Sequence, residues 1–309
     1  MAVLEILDRI PLLSGVPRSV EELPGGLTNR NFKVTTDGGT FVVRVFGGDG
    51  SLLFIDRDAE HLATLAAAEA GVGAPVHAYL PGEGLVVGYI PGRTFTEADV
   101  RDPANLPRLA ETCRRLHAGP RFPREFDMFD VQRRYLGIVR ERGFRLLRRG
   151  IWSSCPRSLK SRNVWKCGGK RRFRVTTTCW LGNIIGDGQR LWLIDYEYAG
   201  NNDPCFELGN LWSESDLSPG QLEELVTAYY GRRLRHKIAR ARLLGLMAKY
   251  GWTLWASIQD GADQPIDFDF WSWGGDGEVR AGGGRVHRRG ASVPHGRGGA
   301  GRLEPCSPL

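Results

Sequence analysis

The sequence predicts an α+β protein with two lobes, a small antiparallel β-sheet lobe followed by a mainly helical one. The first observation behind this prediction is strand-like alternation early in the chain, where residues 32–35 and 40–46 flank an Asp37-Gly38-Gly39 turn. The second is a helical period of apolar residues beyond residue 100. We therefore expect three parts, namely residues 1–92, residues 93–273 and a tail at residues 274–309.

Two further elements are predicted in the first part. Residues 56–71 have the apolar spacing of a helix, with Leu62 and Leu65 on one face. Leu85–Ile90 is an apolar run that ends at a Pro-Gly pair, which predicts a strand. The first part therefore combines strands with one helix.

The second part carries helical and hairpin signals. Residues 103–118 place apolar side chains at helical spacing: Leu106, Leu109, Cys113 and Leu116. A hairpin is predicted from Asn183–Ile185 and Leu191–Ile194, on either side of Asp187-Gly188. Two more helices are predicted near residues 221–230 and 238–258.

Composition narrows the class of protein. Hydrophobic residues make up 41% and charged residues 25% of the chain, which is normal for a soluble globular protein. The N-terminus carries Glu5 and Asp8, unlike a signal peptide, and no window holds the ~18 apolar residues that a membrane span needs. We expect a cytoplasmic protein with no membrane partner, in which the six cysteines are thiols.

The net charge of +7 comes from one basic block. From Arg142 to Gly186 there are twelve Lys or Arg and no acidic residue; without those twelve, 30 basic residues face 35 acidic ones. A zinc site formed by Cys155, Cys167 and Cys179 fails on spacing, because no C-x₂₋₄-C pair occurs. Nucleic-acid binding by the block stays a minor alternative.

Asn183 and Asp195 stand at the two ends of the predicted hairpin. A tight turn brings them out near each other at its open end, where an amide oxygen and a carboxylate suit Mg²⁺ with bound phosphates. Kinase-type phosphoryl transfer uses two metal-holding positions of this kind. The alternative is a hairpin whose polar ends lie on the surface.

A Gly-rich turn precedes the first predicted hairpin. Gly26, Thr28 and Asn29 are placed there to lay backbone N–H groups over phosphates. Arg44 lies in the following strand, where a kinase carries the cation for the α- and β-phosphates, and Glu60 on the next helix could pair with it. Alone these residues are typical of turns and surface charges, but their order along the chain favours phosphoryl transfer.

These motifs together resemble the aminoglycoside phosphotransferase and choline kinase superfamily. The likeness is carried by the runs GGLTNRNFKV, FVVRVFGG, IDRDAE and ETCRRLHAG, and above all by LIDYEYAGNNDPCFELGN. It spans roughly residues 20–140 and 182–273. The likeness is closer to choline and ethanolamine kinases, because the strand cation is Arg44 and Asp195 is followed by Tyr-Glu-Tyr.

The resemblance implies a protein-kinase-like fold and a kinase activity. It implies a five-stranded antiparallel sheet in the first lobe, a hinge near Ile90–Arg93 and a helical second lobe. It also implies ATP and Mg²⁺ as cofactors, with Asp195 as a metal-binding residue.

An aromatic group near the end of the likeness suggests an acceptor site. Trp252 and Trp255 are three residues apart on a predicted helix, so they share a face. With Tyr198 they could surround a quaternary ammonium group through cation–π contacts, and Glu197 or Glu214 could add a counter-charge. An aromatic core stripe is the other interpretation, and the sequence leaves both open.

The catalytic loop of the family is not intact in this chain. That loop reads His-x-Asp-Leu-x-x-x-Asn, and its Asp accepts the proton of the substrate hydroxyl. Counting back from Asn183, Thr178 occupies the expected Asp position and Thr176 the expected His position. A threonine hydroxyl cannot serve as that base.

The genetic code suggests a cause. The run from Thr176 to Trp180 can be written ACC ACG ACC TGC TGG, and reading one base earlier gives CAC CAC GAC CTG CTG. This encodes His-His-Asp-Leu-Leu, which restores the loop. We hypothesise that residues 150–181 are translated out of frame, which accounts for the basic block without a partner. The tail at residues 274–309, with eleven glycines and six arginines, is expected to be disordered and suggests a second frame change.

The sequence therefore predicts an ATP-dependent kinase of a small alcohol. Choline or ethanolamine is the favoured acceptor, and an aminoglycoside or sugar is the rival. The alternative class is an inactive relative that binds nucleotide or ligand without turnover. For the chain as written we expect negligible turnover.

Overall fold

The computed structural model describes residues 3–24, 26, 28–47, 51–146, 173–175, 181–262 and 268–270. The elements of its first lobe are, in chain order, α1 (Val3–Asp8), β1 (Arg18–Leu23), β2 (Asn29–Thr36), β3 (Gly39–Phe46), α2 (Arg57–Glu69), β4 (Val76–Leu80) and β5 (Gly84–Gly88). The five strands form one antiparallel sheet in the order β1-β2-β3-β5-β4. This confirms the predicted sheet.

The β2–β3 hairpin and α2 form where the sequence predicts them. Thr36 pairs with Gly39 across the turn, and the φ of +139° at Gly39 is a conformation that a residue with a Cβ rarely adopts. The carboxylate of Asp56 caps α2 by accepting a hydrogen bond from Ala59 N at 3.0 Å. The helix ends before Gly71, whose φ is +68°.

The buried face of α2 is not the leucine face. Leu62 and Leu65 are 49% and 41% exposed, whereas Ala59, Ala63 and the polar Glu60 are buried. Ala63 belongs to the hydrophobic cluster that also contains Leu106 and Leu109 of the second lobe. Glu60 faces inward because two arginines bind its carboxylate there.

The second lobe is mainly helical, as predicted. Its elements are β6 (Arg93–Thr94), α3 (Glu97–Arg101), α4 (Leu106–Ala118), α5 (Met128–Glu141), β7 (Phe173–Val175), β8 (Ile184–Gly186), β9 (Leu191–Leu193), β10 (Gly200–Asn202), α6 (Pro204–Glu214), α7 (Pro219–Tyr230) and α8 (Arg235–Gly261). Strands β6, β8 and β9 form a small sheet in that order, and β7 pairs with β10. The apolar residues predicted on α4 are buried, which confirms that helix.

Several predictions fall outside the described residues. The tail at residues 274–309 lies there entirely, and so does the stretch at residues 150–181 apart from Phe173–Val175 and Leu181. The exact lobe boundaries stay predictions. In the described part of the chain, no helix is both long and apolar enough to cross a bilayer.

Helices α6 and α8 cross at two glycines in the core of the second lobe. A Cβ placed on Gly209 would lie 2.7 Å from the backbone nitrogen of Gly245. A Cβ on Gly245 would lie 2.9 Å from the ring of Trp212 and closer still to the Gly209 carbonyl. The crossing therefore depends on both residues lacking a side chain, and it sets the position of the α8 turn that carries Trp252.

We expect Gly245→Ala to lower the free energy of unfolding by about 1–3 kcal/mol, because the added methyl group must push α6 and α8 apart. Urea unfolding followed by circular dichroism measures this. Gly137→Ala in α5 is the matched control, since a Cβ there meets nothing within 4 Å. The control is expected to gain about 0.5–1 kcal/mol from helix propensity. Equal stability of the two variants would contradict the close crossing.

Candidate functional site

A cavity of about 520 Å³ lies between the two lobes. The predicted site residues that line it are Gly26, Thr28, Asn29, Arg44, Asn183, Asp195, Glu197, Tyr198, Glu214, Trp252 and Trp255. Glu60 does not line the cavity but lies directly behind Arg44. The fold thus brings together residues that lie more than 200 positions apart in the chain.

The β8–β9 hairpin places Asn183 and Asp195 at one end. Ile184 pairs with Leu193, and Ile194 N donates to Asn183 O at 3.0 Å, so both polar residues leave the strands on the cavity side. Asp195 has a φ of +67°, which is rare for a residue with a side chain. Such a conformation costs free energy and is held by the contacts around it.

Arg44 connects the lobes at the base of the cavity. Its Nη1 donates to Glu60 Oε1 at 2.7 Å and to Asp195 Oδ1 at 2.6 Å. Burial lowers the pKa of the Arg44 guanidinium, but the carboxylates of Asp195, Glu60 and Glu197 outweigh burial and raise that pKa above its ordinary value. Arg44 is therefore a fixed cation beside Asp195, and the pairing predicted with Glu60 is confirmed.

Glu197 lines the cavity, but its carboxylate faces the first lobe. Glu197 Oε2 accepts from Thr28 Oγ1 at 2.9 Å and from Asn29 Nδ2 at 3.3 Å. Burial, then Asp195 and Glu60, raise the pKa of Glu197, while Arg44 and Arg57 oppose the rise. Glu197 thus binds the Gly-rich turn, and its role as a counter-charge for an acceptor cation stays a prediction.

Sequence reasoning missed Arg57. Its Nη1 donates to Glu60 Oε2 at 2.7 Å and lies 3.4 Å from Glu197 Oε2. Arg57 precedes Glu60 by three residues on α2, a spacing that puts the two on one face and could have indicated the pair. Nothing local in the sequence indicates the contact with Glu197, which is 140 residues away.

Aromatic side chains also line the cavity. Trp255 Nε1 donates to the Tyr198 hydroxyl at 2.9 Å, and the Tyr198 and Trp252 rings meet edge to face with centroids 5.5 Å apart. Trp252 Nε1 donates to Asn210 Oδ1 at 2.8 Å, a partner that the sequence analysis did not find. Tyr198 and Trp255 belong to the hydrophobic core and also border the cavity, so the two sequence interpretations are compatible.

Glu214 lines the cavity from α6 and is 5% exposed. Asn210, on the same helix, also lines the cavity and accepts a hydrogen bond from the Trp252 indole. Burial, with Tyr135 and Glu197 nearby, raises the pKa of the Tyr198 hydroxyl well above its usual range, so this group stays neutral. Glu214 therefore stays a predicted counter-charge for an acceptor cation.

The wall formed by the first sheet and the β8–β9 hairpin is apolar. Sequence analysis did not single out these lining residues: Val42, Leu85, Val87, Ile90, Ile185 and Leu193. All but Ile90, which lies in the predicted hinge, come from strands on the two sides of that hinge. An apolar slot of this kind suits a flat aromatic ring.

Asn183 and Asp195 have the donor chemistry for Mg²⁺. They offer an amide oxygen and a carboxylate to the cavity, and Mg²⁺ is commonly held by one or two protein oxygens completed by phosphate oxygens. Among the described residues, no group of three or more His, Cys, Asp or Glu is arranged to hold a metal alone. A site completed by phosphates requires no such group, so the residues present fit the ion. It would share the Asp195 carboxylate with Arg44.

Thr176 and Thr178 lie outside the described residues. The chain on either side is described: β7 pairs with β10, and a short 3₁₀ turn at Leu181–Asn183 leads into β8. Their assignment to the His and Asp positions stays a prediction.

The chain is similar to known phosphotransferases and kinases in sequence and in fold. The model of the phosphotransferase enzyme family matches residues 19–243. The crystal structure of a choline/ethanolamine kinase family protein from Mesorhizobium loti has a TM-score of 0.73 and 30% identity, covering 87% of this chain and 89% of that chain. This likeness confirms the predicted protein-kinase-like fold.

Two curated proteins are also similar to this chain in sequence. Protein LicA from Haemophilus influenzae is 24% identical over 253 residues, which cover 76% of this chain and 72% of that protein. Thiamine kinase from Shigella boydii serotype 4 is 28% identical over 258 residues, which cover 78% of this chain and 84% of that protein.

Proposed function

Because this chain belongs to the phosphotransferase enzyme family, we propose that its fold serves transfer of the ATP γ-phosphoryl group to the hydroxyl of choline or ethanolamine. The observation that carries the proposal is the shared cavity. Asp195 and Arg44 line one part of it, and Tyr198, Trp252 and Trp255 line another. A nucleotide and a small cationic alcohol could therefore meet in one cavity.

The nucleotide end supports ATP. The apolar slot between the sheet and the hairpin suits adenine, and Arg44 supplies a fixed cation for the α- and β-phosphates. Gly26, Thr28 and Asn29 would lie over the phosphates as the Gly-rich turn. Asn183 and Asp195 would hold Mg²⁺, which neutralises the phosphate charge when bound.

The acceptor end supports a cation. Three aromatic side chains border it, and both indole N–H groups already have partners, so the rings offer mainly their π surfaces. Such surfaces attract a quaternary ammonium group. Glu214 supplies the negative charge on the same wall, in place of Glu197.

The chain as written should bind these ligands without turning them over. Thr178 stands where the base should accept the hydroxyl proton, so the acceptor is not activated. We attribute this to a changed reading frame over residues 150–181. Sequencing the coding DNA across that stretch and across the tail tests it, and an intact frame would exclude it.

Thiamine is a second candidate acceptor, favoured by the likeness to thiamine kinase. Thiamine, like choline, carries both a hydroxyl group and a cationic group. Its cationic ring is aromatic and can stack on Trp252. Titrations with choline, ethanolamine, thiamine and kanamycin separate these acceptors, and the last represents the aminoglycoside alternative. A cytoplasmic location stays a prediction.

We expect Trp252→Leu to weaken choline binding by about tenfold, which corresponds to the loss of a cation–π contact worth about 1.4 kcal/mol. Isothermal titration measures this, with 3,3-dimethylbutan-1-ol as the uncharged analogue whose affinity should change much less. Trp192→Leu is the matched control, because Trp192 lies near the hairpin tip and bonds to Asp187. If the affinities for choline and for its neutral analogue fall equally, Trp252 contributes to binding through its shape and not through a cation–π contact.

A further inference from the structure

Glu60 of the first lobe binds two arginines, and each of these arginines also contacts an acidic residue of the second lobe. Glu60 accepts from Arg44 at Oε1 and from Arg57 at Oε2, both at 2.7 Å. Each arginine then reaches a different acid of the second lobe, Asp195 for Arg44 and Glu197 for Arg57. Arg44 lines the cavity, whereas Arg57 does not.

Arg57 is held in place on several sides. Its guanidinium carbon lies 4.4 Å from the centroid of the Phe46 ring, and its side chain is 13% exposed. One nitrogen, Nη1, makes both acid contacts, while Nη2 is buried with no hydrogen-bond partner among the residues that the structure describes. Arg57 therefore acts as a single fixed donor between two carboxylates.

The contact continues from Glu197 into the Gly-rich turn. The oxygen of Glu197 that faces Arg57, Oε2, also accepts from Thr28 and Asn29. Thr28 and Asn29 line the cavity at the proposed phosphate end, and Glu197 follows Asp195 by two residues. Removing Arg57 would thus release a carboxylate that orders both the turn and the backbone next to Asp195.

We propose that Arg57 is a positioning residue of the nucleotide site. It acts through Glu197, which it holds against the Gly-rich turn, and touches neither nucleotide nor metal itself. The inference rests on the proposed binding of ATP. It assigns to Arg57 an effect on the affinity for Mg·ATP rather than on the affinity for the acceptor.

The experiment is a titration of Mg·ATP into the full chain. Arg57→Met keeps the length and the packing on Phe46 but removes the donor, and we expect its Kd to rise by about 10–100-fold, as for other residues that orient a ligand group from behind. Arg57→Lys should recover most of the affinity, because one nitrogen makes both contacts and no bidentate geometry is lost. Choline affinity should not change in either variant.

Arg190→Met is the matched control. Arg190 also stacks on an aromatic ring, that of Trp192 at 3.7 Å, and lies near the carboxylate of Asp187, but it lies near the hairpin tip, away from Asn183 and Asp195. Its Kd for Mg·ATP should equal that of the parent chain. If the parent chain does not bind ATP, the proposed nucleotide site is wrong. If Arg57→Met binds Mg·ATP as tightly as the parent chain, only the proposed role of Arg57 is wrong.

A double variant separates positioning from general stability. If Arg57 acts through Glu197, Arg57→Met should add little to the loss already caused by Glu197→Gln. This comparison can still be made if Arg57→Met alone does not fold. In the double variant the group at position 197 is a neutral amide, so no buried carboxylate there has lost its arginine partner. A further drop in affinity in the double variant, or an Arg57→Lys chain that binds as weakly as Arg57→Met, would overturn the proposal.

Discussion

Replacing Thr176-Thr177-Thr178-Cys179-Trp180-Leu181 by His-His-Asp-Leu-Leu-Ala is expected to raise the rate of ADP release with choline by about 10²–10⁴-fold, the usual contribution of a positioned general base. The physical reason is that a carboxylate at position 178 could accept the hydroxyl proton while the proposed ligands Asn183 and Asp195 would hold the metal. A coupled assay for ADP measures the rate. The acceptors are choline, ethanolamine and thiamine.

The control for this experiment is the same six-residue block with Asn in place of the new Asp. It restores the shape of the loop without the base, so it should stay near the rate of the parent chain. A gain of equal size in the control would show that the loop needed its shape rather than its carboxylate. Substantial turnover by the parent chain would refute the assignment of Thr178 to the base position.

Glu60→Gln is expected to lower the free energy of unfolding by about 3 kcal/mol and to weaken Mg·ATP binding. Glu60 accepts at both oxygens, from Arg44 and from Arg57, and its side chain is fully buried. Glutamine has the same shape but only one acceptor. One arginine nitrogen would therefore face an amide N–H group in the interior.

The control for Glu60→Gln is Glu83→Gln, which breaks an exposed pair with Arg9. Exposed pairs contribute little, so the stability of this variant should stay close to that of the parent chain. Urea unfolding and Mg·ATP titration measure both variants. Parent-like stability of Glu60→Gln would mean that the two arginines do not depend on Glu60 for their charge pairing.

The three carboxyl and two guanidinium groups of this network leave at most one net negative charge beside the cavity, because the raised pKa of Glu197 favours protonation of that carboxyl near neutral pH. Asp195, Glu60 and Glu197 lie within direct contact of Arg44 or Arg57. A divalent cation reaching Asp195 would make that net charge positive and favour the phosphate groups of a nucleotide. The network therefore suits a nucleotide that binds as its complex with a divalent metal ion.

The sequence by itself determined the elements whose signals are local. Apolar alternation and the glycine turn at Gly39 are enough to place the β2–β3 hairpin, and the spacing of Asn183 and Asp195 around a second turn is enough to put them at one end of β8 and β9. The order of Gly-rich turn, strand cation and helix acid also indicated the nucleotide end, because that order is carried by neighbouring elements.

The tertiary structure alone decided how the charged groups pair and which faces are buried. Helix α2 turns Leu62 outward, and Glu60 takes the inward position, where two arginines bind its carboxylate. Glu197 faces the Gly-rich turn because Thr28 and Arg57 meet it there, across 169 and 140 residues of chain. Contacts between such distant segments leave no periodic trace in the sequence, since each depends on where the whole fold places its partner.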